Sequence, residues 1–292
     1  MLQTSLTNVP DLSTWLDYLR HANKSVHTLR SYRQRVLRFA DWFESTNGET
    51  IIPEHVTPTD LREYKSYLLI HMKRAPSTVN LSFIAIANWL GFNGQNLQMP
   101  SNVEEVRSAP QGLDRLAQRS LTRAVERENV PRDIALITLM LNTGLRISEV
   151  AILDIDDLTL GDRSGSLKVR LGKGGKFRTV PLNSDTRKVL RDYLNARTKG
   201  PVFMSQRGKG TSRLTASGIR QVIDRYAYLA KLPELHPHAL RHTFARNLLK
   251  TGEGLEMVAE ILGHKSLNTT RIYTLPSERD KANAVEKLSL RH

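Results

Sequence analysis

Cysteine is absent from the 292 residues. That gap removes disulfides, Cys-ligated zinc and thiol nucleophiles together. Metal-binding patterns are missing as well. There is no His-Glu-x-x-His and no EF-hand loop, so a catalytic metal has no evident ligands. The segment Gly172-Lys173-Gly174-Gly175-Lys176-Phe177 lacks both the Walker spacing and the hydroxyl residue after the lysine. Long apolar runs are missing too. The longest, Ile134 to Leu141, is far too short to span a bilayer, so no membrane role is expected. Met1 to Thr7 carries neither the basic start nor the apolar stretch of a secretory leader, which makes a cytoplasmic location the expectation.

What the chain does have is positive charge. The formal net charge is +14, which points to a polyanionic partner, most often nucleic acid. The charge is uneven. Residues 1–100 hold 10 Lys and Arg against 8 Asp and Glu, which leaves 33 against 21 for the remainder, a net of +12. The second part is therefore the one suited to gripping phosphates.

The first hundred residues read as four helices. Asp11 to Arg20 is short. Ser25 caps a longer helix to about Ser45, with Val26, Leu29, Tyr32, Val36, Phe39, Ala40 and Phe43 on one face. Its other side carries Arg30, Arg35 and Arg38, with Arg33 at the edge, and reads either as a solvated face or as a DNA-facing one. Thr57-Pro58-Thr59-Asp60 opens a third helix toward Ile70. Ser77 opens a fourth through Val79, Ile84, Ile86, Trp89 and Leu90. Turn formers then collect from Asn93 to Gly112, which is how a linker reads. The expected organisation is a helical domain over residues 1–95, a linker over 96–112 and a second domain over 113–292. That second domain is mostly helical. Its helices are expected over Pro131–Asn142, from about Arg146, and over Asp185–Arg197, Thr215–Lys231, His238–Lys250, Leu255–Leu262 and Ser266–Tyr273. Two strands, Ser166–Leu171 and Lys176–Leu182, alternate as a hairpin with Lys173 at its tip.

Breaking a phosphodiester without metal requires neutralising the non-bridging oxygens, deprotonating a nucleophile and protonating the leaving oxygen. Arginine suits the first task, because its planar fork binds two phosphate oxygens and never deprotonates. Arg146 and Arg241 are the candidates. Lys173, crowded by cations on a glycine-rich turn, suits the third. Tyr273 is the candidate nucleophile; its phenol, with an ordinary pKa of about 10, must be activated by those cations and a nearby base. His238 and His264 are available as that base or as hydrogen-bond partners of the phosphate.

These segments, in this order, resemble the tyrosine recombinase (phage integrase) family, of the simple-site or transposon-encoded resolvase type. The resemblance rests on Thr143-Gly144-Leu145-Arg146-Ile147-Ser148-Glu149, the hairpin Gly172-Lys173-Gly174-Gly175-Lys176-Phe177-Arg178, His238-Ala239-Leu240-Arg241, Leu262-Gly263-His264 and Ile272-Tyr273-Thr274. It implies a mainly α protein forming a C-shaped clamp on DNA: an N-terminal four-helix core-DNA-binding domain and a mostly helical catalytic domain with a small antiparallel sheet or hairpin. Tyr273 would form a 3′-phosphotyrosyl link, Arg146 and Arg241 would clamp the phosphate, and Lys173 would be the general acid. His238 and His264 would assist, and Glu149 would support the site. Beside these roles, Arg30, Arg33, Arg35, Arg38, Lys176, Arg178 and Arg271 are the candidate DNA contacts.

The partner implied is double-stranded DNA with inverted-repeat core sites, bound by a homo-tetramer on two sites and recombined through a Holliday junction. Neither ATP nor a catalytic metal would be needed. An amphipathic tail at about 277–290 would dock on a neighbouring protomer, or fold back on its own domain. A type IB topoisomerase-like relaxing enzyme and an inactive DNA-binding relative are the alternatives.

Overall fold

In the computed structural model, which describes residues 9–105, 112–170, 177–205, 212–264, 270, 271, 282, 285 and 286, the chain divides into two units, Met1–Arg107 and Ser108–His292.

The first unit is built from α1 (Leu12–His21), α2 (Val26–Asn47), α3 (Pro58–Ser66) and α4 (Pro76–Phe92). Local chemistry sets their ends. The Ser25 hydroxyl accepts from the Thr28 amide at 3.1 Å to start α2, and Gly48 at φ 76° ends it. Thr57 and Asp60 form a reciprocal capping box ahead of Pro58. Leu29, Val36, Phe39, Ala40 and Phe43 of α2 are buried, and with Trp15, Tyr64, Val79, Phe83, Ile86 and Trp89 they make one core. Two expected core residues are outside it. Val26, at the first position of α2, and Ile84, on the far side of α4 from Val79, Phe83 and Ile86, are exposed. Helix α3 continues into a π-helical turn, Tyr67–His71.

The expected linker is not all linker. The Asn80 side chain donates to the Val103 carbonyl at 2.9 Å and accepts from its amide at 2.8 Å, and Lys65 donates to the Ser101 carbonyl at 2.7 Å. Leu97, Met99 and Val103 pack on the first core. Residues 97–103 thus belong to the first unit, because a side-chain amide satisfies an irregular backbone that periodicity cannot register.

The second unit holds α5 (Arg115–Glu128), α6 (Pro131–Thr143), α7 (Ile147–Ala151), α8 (Ser184–Leu194), α9 (Ala216–Leu229), α10 (Pro237–Lys250) and α11 (Leu255–Leu262). Helix α5, which is not among the expected helices, is capped by Asp114 and sends Leu121, Ala124 and Val125 into the core. Helix α6 is the central element, packed against α8 and α10. The expected hairpin gains a third strand: β1 (Leu158–Leu160), β2 (Gly165–Arg170) and β3 (Phe177–Pro181) form an antiparallel sheet in that order. Register pairs Leu158 with Leu167, Leu167 with Val180, and Val169 with Arg178. Three residues are too few for alternation to announce β1. Of the expected helix Ser266–Tyr273, only Thr270 and Arg271 are described, and both are helical. The tail 277–290 lies outside the described residues apart from 282, 285 and 286.

Candidate active site

Arg146 is placed by the break between α6 and α7. Helix α6 ends on Gly144 at φ 62°, a left-handed conformation that costs any residue with a Cβ. A Cβ there would also lie 2.5 Å from Phe244 Cδ1 and 2.7 Å from Leu262 Cδ2. Leu145 is buried next to it, and Arg146 then caps α7 with its side chain 38% exposed.

Glu149 sits one turn on, buried, and collects four hydrogen bonds. The Arg146 amide donates to Oε2 at 2.8 Å and the Arg146 guanidinium to Oε1 at 2.9 Å. Arg178 forks onto both oxygens, at 2.9 and 3.0 Å. Burial alone would push the Glu149 carboxyl up; the bonds from Arg178 and Arg146 outweigh it and hold the group below the usual carboxylate range.

Arg241 lies on α10 and is 3% exposed. It donates to the Gly144 carbonyl at 2.6 Å and to the Leu262 carbonyl at 2.8 Å. It thereby ties the turn two residues before Arg146 to the helix end two residues before His264. Helix α11 stops at Gly263, φ 66°, and the His264 amide closes the end on the Ala259 carbonyl at 3.0 Å. His264 Nδ1 pairs with the hydroxyl of Thr270 at 2.8 Å, which fixes the plane of the ring.

The surroundings keep the imidazoles neutral. Burial first, then Arg241, Arg146 and Arg178, lowers His264 to about 4. Burial, then His238 and His236, lowers His242 to about 4. His238, one turn before Arg241 on α10, is lowered by burial and then by His236, Arg241 and Arg146. At neutral pH these rings can accept a proton or a hydrogen bond.

The structure therefore gathers Arg146, Glu149, Arg241 and His264 around the α6–α7 turn and the end of α11, with His238 on the same helix as Arg241. Lys173, Lys176 and Tyr273 lie outside the described residues. Of the arginines expected on DNA, Arg30, Arg33 and Arg38 are exposed on α2, and Arg271 is exposed. Arg35 curls back instead. Its guanidinium donates to the Ser31 carbonyl and hydroxyl, at 3.0 and 2.5 Å, and helps line a cavity of about 260 Å³ with Arg38, Trp42, Tyr64 and Arg74. Arg178 is turned inward, with a side chain 8% exposed, bound to Glu149 and to the Ile261 carbonyl at 2.8 Å. Its alternation with Val180 and Leu182 was the available signal for that inward face. Thr270, the ring partner of His264, is not among the expected site residues and carries no signal beyond proximity in sequence.

A model of the phage integrase family matches residues 113–279, and one of the phage integrase N-terminal SAM-like domain matches residues 12–88. Over 285 residues the chain is 32% identical to tyrosine recombinase XerC of Thermodesulfovibrio yellowstonii, covering 90% of each chain. It is 29% identical over 285 residues to tyrosine recombinase XerA of Pyrococcus furiosus, covering 96% of this chain and 94% of the relative. Among solved structures, XerH site-specific recombinase in a pre-cleavage complex with difH substrate superposes with a TM-score of 0.70 at 23% identity, over 94% of this chain and 83% of that one. At that identity the likeness speaks for the fold.

Proposed function

Since the chain belongs to the phage integrase family, the tyrosine site-specific recombinases, we propose that Tyr273 attacks a DNA phosphate held between Arg146 and Arg241. The observation that carries this reading is the pair of bonds from Arg241 to the carbonyls of Gly144 and Leu262. They fix the first arginine segment, the His-x-x-Arg helix and the Leu-Gly-His turn in one place, as a single phosphate cradle requires.

The step balances without an external reagent. A bond forms between the Tyr273 oxygen and phosphorus while the bond from phosphorus to the 5′ oxygen breaks. The phenol proton passes to a neutral imidazole, His264 or His238, and the 5′ oxygen takes a proton from Lys173. The products are a 3′-phosphotyrosyl link and a free 5′-hydroxyl. Two guanidinium groups offset the charge that builds on the non-bridging oxygens. The link conserves the energy of the phosphodiester, so the same residues run the reaction backwards onto a partner strand. Four protomers on two inverted-repeat sites then exchange strands in pairs through a Holliday junction, with residues 1–95 as the second DNA-contacting domain.

The test incubates the full chain with DNA flanking its gene, traps covalent protein–DNA ends and maps them. Wild-type protein yields a phosphotyrosyl adduct at defined positions. Tyr273→Phe yields none while its DNA affinity stays within about threefold. An undiminished adduct removes Tyr273 as nucleophile. Relaxation of plasmids without paired sites, and no junctions, would point to a relaxing enzyme.

A further inference from the structure

Two guanidinium groups share one buried carboxylate oxygen. Glu149 Oε1 accepts from Arg146 and from Arg178, each at 2.9 Å. Arg178 then completes a planar fork on Oε2 at 3.0 Å and uses its Nε to reach the Ile261 carbonyl at 2.8 Å. One side chain on β3 thus binds α7 and the last turn of α11. Gly263 leaves the space for it: a Cβ there would lie 2.8 Å from Arg178 Nη1 and 3.0 Å from its Cδ.

The charges matter as much as the geometry. Glu149 with Arg146 alone is a neutral pair, and the carboxylate would draw the guanidinium away from a phosphate. Adding Arg178 brings the trio to a net charge of +1. The buried arginine neutralises the buried carboxylate, and the charge of the half-exposed Arg146 stays available to an incoming anion. A bidentate arginine is suited to this, because it saturates both oxygens in one plane.

We propose that Arg178 is a positioning residue of the phosphate site: it neutralises Glu149, so that Arg146 keeps its positive charge for the DNA phosphate, and it locks β3, α7 and the end of α11 in register. This rests on the recombinase reading for the identity of the anion, but not for the charge balance. Arg178 does not touch the substrate. It acts through Glu149 and Arg146, and through Ile261 on the segment leading to His264.

The charge balance is tested without catalysis. Full-length protein carrying ¹⁵N-arginine is titrated with inorganic phosphate, following the Arg146 side-chain resonance in wild type, Arg178→Gln, Arg178→Lys and the double variant Glu149→Gln with Arg178→Gln. Arg178→Gln is expected to weaken phosphate binding at least about threefold. The double variant, which removes the unbalanced carboxylate as well, is expected to return within about twofold of wild type. Equal affinity in wild type and Arg178→Gln, or a double variant as weak as the single, overturns the charge balance whether or not the protein cuts DNA.

Arg178→Lys keeps the charge and loses the fork. It is expected to bind phosphate like wild type and form the covalent DNA adduct at least about tenfold more slowly; a wild-type adduct rate overturns the positioning role. Should Arg178→Gln fail to fold, the lysine and double variants decide. A wild-type protein that forms no adduct on any flanking DNA sinks the recombinase reading instead, while the phosphate titration still decides the charge balance.

Discussion

Arg241 holds the carbonyl of Gly144 at 2.6 Å across 97 residues of chain. The bond explains why the glycine and the arginine belong to one device. The carbonyl of Gly144 is presented because α6 ends in a left-handed turn, and the guanidinium that meets it is buried on α10. A second bond from the same guanidinium, to Leu262, brings in the segment that carries His264.

Replacing Gly144 by alanine is therefore expected to damage the site through the backbone. The left-handed conformation costs an alanine about 1–2 kcal/mol, and the new methyl must displace Phe244 and Leu262 at a further cost of about 1–3 kcal/mol. The urea midpoint of the second unit should fall accordingly. Adduct formation should fall more than stability does, because Arg146 follows two residues later. An unchanged midpoint would contradict the packing seen around Gly144.

Much of this was legible in advance, and the failures have a physical pattern. The Thr143–Glu149, His238–Arg241 and Leu262–His264 segments are readable because together, and in that order, they resemble the motifs of one family, although each alone has a commoner structural use. Helix α2 was readable from Leu29, Val36, Phe39 and Phe43 at helical spacing. Arg178 stands among the expected DNA contacts, although its parity with Val180 places it on the buried face. Arg35 groups with Arg30, Arg33 and Arg38 on a helical wheel, but a wheel assigns only a side of the helix, whereas a long side chain can fold back to Ser31. The anchoring of Val103 by Asn80 depends on a tertiary hydrogen bond, which no local pattern encodes.

Arg146→Ala should separate binding from chemistry. The side chain is half exposed at the start of α7, and its phosphate contact would strengthen as charge builds in the transition state. Losing one such donor typically costs about 3–4 kcal/mol, or about 10²–10³-fold in rate. Single-turnover cleavage on a nicked duplex should fall by that factor, while equilibrium binding of the same duplex changes by less than about fivefold. A proportional loss in both would make Arg146 a docking contact.

The buried imidazoles give the second unit a defined acid sensitivity. Burial, and then neighbouring histidines or arginines, push His242 and His264 down to about 4 in the folded protein. In the unfolded chain an imidazole titrates at about 6.5. Below that value the unfolded chain takes up protons that the folded one refuses, so stability is complete at higher pH and declines as pH falls toward about 4. Allowing for partial solvation, each ring contributes about 1 kcal/mol. Carboxylates of ordinary pKa remain largely ionised above about pH 5.5, so the decline between about pH 7 and 5.5 belongs to histidine. Urea midpoints measured across that interval should fall, and the pair His242→Asn and His264→Asn should flatten the slope. A wild-type midpoint that does not move in that interval would mean that the two rings are not held neutral by the fold.

Salt dependence discriminates among the arginines of α2. Each phosphate contact released on binding duplex DNA contributes about −0.9 to the slope of log affinity against log salt. Arg30, Arg33 and Arg38 are exposed, whereas Arg35 is partly buried, bonded to Ser31 and lowered by burial and by Arg38. If α2 faces DNA, alanine at any of the three exposed positions that meets a phosphate should make the slope shallower by about 1. Alanine at Arg35 should leave the slope within about 0.3 of wild type, because that partly buried guanidinium is already engaged by Ser31 in the cavity beside Trp42 and Tyr64. Slopes from fluorescence anisotropy at several salt concentrations decide the matter. If all three exposed variants keep the wild-type slope, the polar side of α2 is a solvated face and DNA contacts in the first unit must come from other residues.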